Sequence, residues 1–130
     1  VNRHRLAEER SIELHREVAA RLRADPRLVE HARERAAGWL ETGEIAEPYT
    51  TLWMRILGSS LDELCEFLVD PGETARALRQ CTPFSGVVDP RTRWRIWREV
   101  AEREGMGAGA SPANEQTFAP GERLTARAEQ

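Results

Sequence analysis

Asp stands directly before Pro at three places, Asp25-Pro26, Asp70-Pro71 and Asp89-Pro90. An Asp side chain accepts hydrogen bonds from the unpaired amides of a first helical turn. Pro fits the next position, where its missing N–H costs nothing. Each pair therefore reads as a helix start. Glu73 falls three residues after Asp70, and Glu63 three after Ser60, which is the spacing of a capping box. Four such starts, with no alternating run of the strand type, predict an all-α fold, a small multi-helix bundle of five to six helices.

The apolar spacing fills in those helices. Helix one is expected from about Arg5 to Ala24, with Ala7, Ser11, Leu14, Val18 and Leu22 on one stripe and Arg10, Glu13, Glu17 and Arg21 opposite. Glu17 and Arg21 are spaced for an i,i+4 ion pair. Helix two follows Asp25-Pro26, carries Leu28, Val29, Ala32, Ala36, Trp39 and Leu40 inward, and stops at Gly43, so helices one and two are expected as an antiparallel hairpin. Short helices then open at Pro48, Ser60 and Pro71. The run 81–88 contains Pro83 and Gly86 and reads as a loop. The last helix, Pro90 to about Glu104, places Trp94, Ile96, Trp97, Val100 and Ala101 on one side and Arg91, Arg95, Arg98 and Glu102 on the other.

Beyond Gly105 the composition turns to Gly, Ala, Ser and Pro and periodicity is lost. The expected organisation is a helical domain over 1–104 and a flexible, disordered C-terminal tail over 105–130. No apolar run approaches the ~18 residues of a membrane span, and the first residues lack a signal-type hydrophobic region, so a cytoplasmic protein without membrane association is expected. All 19 basic residues are Arg, and the net charge is −3. Residues 46–89 hold three Arg against seven acids, whereas 90–104 hold five Arg against three. Nucleic-acid binders show a broader basic excess, which makes DNA a poor fit to this chain.

Catalytic signatures are missing. His4, His15 and His31 have no helical metal-pair spacing, and Cys65 and Cys81 form no CxxC. No Walker, dinucleotide-binding or nucleophile-elbow motif occurs. His15, on the apolar side of helix one, reads as a core or interface histidine holding one hydrogen bond. Cys65 reads as an inert buried thiol, and Cys81, at the start of the loop, as the more exposed of the two. The expectation is a protein that is not an enzyme and uses no cofactor or metal.

The most distinctive stretch is Leu78–Gly86 together with Pro90–Arg98, where Arg alternates with Trp. Trp, Phe and Arg are the usual anchors of protein interfaces. Phe84, Trp94 and Trp97 are therefore expected as partner-binding anchors, Arg79, Arg95 and Arg98 as charge-assisted contacts, and His15 as a contribution from helix one.

These residues also carry a resemblance. Glu9-Arg10-Ser11, Leu14-His15, Leu78-Arg79-Gln80, Pro83-Phe84, Gly86 and Arg93–Arg98 resemble the motifs of small bacterial, actinobacterial-type helical antitoxin-like proteins encoded beside nucleotidyltransferase-like toxins. Cys81 and Thr82 stand where that family carries two serines, and Ser85 where it carries an alanine. The resemblance covers about residues 5–104 and implies an antitoxin-like role, restraint of the neighbouring-gene enzyme by direct protein contact. The alternative is a DNA-binding transcriptional regulator that uses the Arg-rich last helix.

Overall fold

A computed structural model describes residues 3–105. They form six helices: α1 (Arg3–Ala24), α2 (Leu28–Thr42), α3 (Tyr49–Leu57), α4 (Leu61–Leu68), α5 (Glu73–Arg79) and α6 (Pro90–Arg103), with no strand among the described residues. The fold is all-α, as expected. The tail predicted over 105–130 lies, apart from Gly105, outside the described residues.

Two of the four capping signals act as helix starts. Ser60 accepts from the Glu63 amide at 3.1 Å while the Glu63 carboxylate accepts from the Ser60 amide at 3.1 Å, completing the box. Asp89 accepts from the Thr92 amide at 3.0 Å and from its hydroxyl at 2.9 Å, with Pro90 in the first turn. The other two signals serve the preceding turns. Asp70 Oδ1 accepts from Gly72 N–H at 2.6 Å, so α5 begins after Gly72 and the 70/73 box does not form. Asp25 accepts from the Arg27 amide at 3.3 Å and its guanidinium at 2.9 Å, and α2 begins at Leu28. An Asx turn competes for the same carboxylate that a cap needs, and here the turn wins.

The described residues divide into two compact units, residues 3–13 with 89–105, and Leu14–Val88. The division runs through α1. Each half of that helix buries its own side: Leu6 and Arg10 in the first half, Leu14, His15, Val18 and Leu22 in the second. A single stripe through Ala7 therefore fails. Ala7 is exposed, and Arg10, expected outside, is buried.

In the unit Leu14–Val88, α2 packs against α3. Gly43 ends α2 at φ 71°, donating to the Trp39 carbonyl at 2.8 Å, a conformation that costs glycine little. The Glu47–Pro48 peptide is cis where the chain enters α3. The core centres on Trp53, which is fully buried and meets Phe67 and Phe84 edge-on, with ring centroids 6.2 and 6.0 Å apart. Each edge-on pair contributes about 0.5–1.5 kcal/mol beyond its buried area. The indole N–H, which would be costly unpaired in such a setting, donates to the Leu78 carbonyl at 3.1 Å.

Arginine side chains satisfy helix ends in this unit. Arg33 donates from Nε (3.0 Å) and Nη2 (2.8 Å) to the carbonyl of Leu57, the last residue of α3. Arg79, buried, donates from Nη1 to the carbonyls of Leu68 and Asp70 at 3.1 and 2.8 Å, where α4 ends. A cation at a helix C-terminus meets both the orphan carbonyls and the negative end of the macrodipole.

Candidate partner-binding face

The segment 79–98 does not present its expected residues together. In the unit Leu14–Val88 the loop 81–88 is pinned from several sides. His15 Nε2 lies 2.9 Å from Thr82 Oγ1, which also accepts from the Phe84 amide at 3.1 Å. Arg21 donates to the Val87 carbonyl at 3.1 Å while holding Glu17 at 2.9 Å, the expected i,i+4 pair. Arg35 donates to Ser85 Oγ at 3.0 Å. A loop held this way turns Phe84 inward against Trp53.

Three of the expected contact residues are consequently interior ones. Phe84 and His15 are 1% exposed and Arg79 is 3% exposed. None offers a surface to a partner. Phe84 supplies core area, Arg79 ends α4, and His15 ties α1 to the loop. The His15–Thr82 pair has the spacing of a base and a nucleophile, but the Thr82 oxygen already serves the Phe84 amide and its partner ring is buried, which is the arrangement of a latch. Cys81 is half-buried, and burial pushes its thiol up to about 11, away from the thiolate that reactivity needs. Cys65 is buried, its thiol also pushed up by desolvation, with Sγ directed at the Ala19 carbonyl at 3.7 Å.

In the other unit, α6 separates its two tryptophans. Trp97 is buried with Ile96, Val100 and Ala101, so it too leaves the set of surface anchors. The guanidinium of Arg10 lies over its ring at 5.5 Å and that of Arg93 at 5.9 Å. Trp94, expected on the inner side, is 41% exposed. It lies at the edge of the apolar arc, whereas Arg93, one position earlier, points to the buried side and stacks on Trp97 four residues on. Arg93 and Arg10 are the residues that sequence reasoning missed. The i,i+4 spacing of 93 with 97 and the four-residue steps Leu6, Arg10, Leu14 were the available signals.

What remains outward on α6 is a stripe of Arg91, Trp94, Arg95 and Arg98, all exposed. Arg98 lies 5.9 Å from the Trp94 ring centroid, and Arg95 reaches Glu99 at 3.3 Å. At the opposite end of the helix Arg103 holds Glu9 at 3.2 Å and Glu13 at 3.6 Å, fastening α6 to the first half of α1. The stripe is thus an aromatic ring framed by cations on a helix anchored from behind, able to take an acidic surface with an apolar recess. Among the described residues no cluster of His, Cys, Asp and Glu is placed to hold a metal ion, and no helix is long and apolar enough to cross a membrane. Comparison of the chain with protein-family models, with curated proteins and with solved structures finds no match.

Proposed function

We propose that this chain is a non-catalytic, antitoxin-like protein that restrains a nucleotidyltransferase-like enzyme by direct contact, and that its contact residues are Trp94, Arg95 and Arg98. One observation carries the reading. A tryptophan 41% exposed, with a guanidinium stacked on it, stands outward on a helix whose other large apolar side chains are buried. Nothing in the packing of α6 requires that ring. Such a residue at the centre of an interface is a hot spot, worth ~2 kcal/mol or more. The toxin-like identity of the partner comes from the motif resemblance, and a cytoplasmic site of action goes with it.

The test is co-purification from the native operon, followed by titration of the recovered enzyme with Trp94→Ala and Arg98→Ala. A stoichiometric neighbour, toxic alone and silent with this chain, whose affinity falls at least tenfold with either substitution, supports the reading. An unchanged affinity with an intact fold removes α6 from the interface. Capture of promoter DNA instead, with steep loss on added salt, favours the regulator alternative.

A further inference from the structure

Among the described residues three large apolar side chains are exposed: Leu40 at 50%, Trp94 at 41% and Tyr49 at 39%. Their electrostatic settings are opposite. Trp94 stands among Arg91, Arg95 and Arg98. Leu40 lies in the last turn of α2 and Tyr49 opens α3, so both border the connection 43–48. That end of the α2–α3 pair carries exposed Glu41, Glu44 and Glu47 and no arginine between Arg35 and Arg55. Glu47 also accepts from the Thr51 hydroxyl at 2.7 Å, which fixes one carboxylate at the start of α3. One chain thus displays a basic surface with an exposed ring and an acidic surface with two exposed apolar side chains.

We propose that the outward α6 stripe of one copy docks on the acidic α2–α3 end of a second copy, giving self-association. Charge selects this pairing over contacts between like faces. An α6–α6 contact would oppose Arg91, Arg95 and Arg98 to themselves, and a contact between two acidic ends would oppose three glutamates to three. Only a contact between unlike faces sets opposite charges together and covers Trp94, Leu40 and Tyr49 at once. The inference needs no outside partner, so it is tested separately from the proposed antitoxin role.

The experiment is sedimentation velocity of the full chain at low and high ionic strength, with the double variants Arg95→Glu/Arg98→Glu and Glu41→Arg/Glu44→Arg. All four positions are exposed, and circular dichroism checks that each variant keeps its helices. The wild type is expected to gain mass with concentration at low salt and to return towards monomer at high salt. Each variant alone should stay monomeric. Their equimolar mixture should associate again, because the native acidic end of one variant meets the native α6 stripe of the other and the exchanged charges are themselves opposite. A wild type that stays monomeric throughout, a variant that associates like the wild type, or a mixture that does not associate overturns the proposal. Leu40→Ser offers a check without charge reversal and should weaken association at least several-fold.

Discussion

His15 and Thr82 are 67 positions apart in sequence, yet His15 Nε2 and Thr82 Oγ1 are 2.9 Å apart. The contact closes the loop 81–88 onto the second half of α1. Thr82→Val keeps the volume and removes the hydroxyl that meets both His15 and the Phe84 amide. A loss of about 1–3 kcal/mol is expected in chemical denaturation, with Thr82→Ser recovering most of it. Equal midpoints for Val and wild type would show that the hydroxyl contributes nothing.

Arg79 separates a structural role from a binding one. Its Nη1 serves two carbonyls at the end of α4, and charged hydrogen bonds of this kind contribute about 1.5–3 kcal/mol each. Arg79→Ala should lower stability by several kcal/mol. Arg98→Ala, on the exposed side of α6, should change stability by less than about 0.5 kcal/mol. Thermal melts of the two variants side by side decide this. Equal melting temperatures would return Arg79 to the surface.

Two capping boxes that look alike in sequence should behave differently. Glu63→Ala breaks a formed box and should cost about 0.5–1 kcal/mol. Glu73 makes no such bond, and Glu73→Ala should cost no more than the few tenths that a carboxylate in a first turn supplies through the helix dipole. Urea midpoints for the pair give the comparison, and a larger loss at Glu73 would contradict the Asx turn at Asp70.

The thiol of Cys81 carries a pH signature. Its ordinary value is 9.0, and burial raises it to about 11 in the folded chain. The unfolded chain therefore gives up this proton first. The thiol's contribution is fully present below pH 9, declines above it, and is lost as pH rises through about 11. Cys81→Ala should flatten the fall in stability across that window relative to wild type. Alkylation at pH 8 should be slow in the native protein and fast in urea.

Much of the helical layout was legible because caps and glycine stops are local. Ser60, Asp89 and Gly43 act within one turn of themselves, and the structure uses them as the sequence implies. The failures share a different cause. Whether Asp70 caps a helix or closes a turn depends on where Gly72 lets the backbone go. Arg79 looks like a surface cation until the end of α4, nine to eleven residues earlier, is brought to it. Trp94 and Trp97 are three positions apart and equally apolar in pattern, and which of them is buried depends on the arc that α6 presents to its own unit. The loop's Phe84 was marked by composition alone, and composition does not distinguish a core aromatic from an interface one. The basic surface was already present as the Arg excess of 90–104, whereas Glu41 and Glu44 of the acidic one lie in a stretch whose charges balance. Leu40 and Tyr49 were not recognisable as exposed.

The unit made from residues 3–13 and 89–105 is assembled from stretches separated by the whole of Leu14–Val88. On a ribosome the first stretch emerges long before the second has been translated. Leu6 and Arg10 therefore wait for Trp97 and Val100 until the whole of Leu14–Val88 has been made. The stripe bearing Trp94 and Arg98 is then made ready only after a large loop has closed, and the newborn chain acquires its docking surface later than the core of Leu14–Val88.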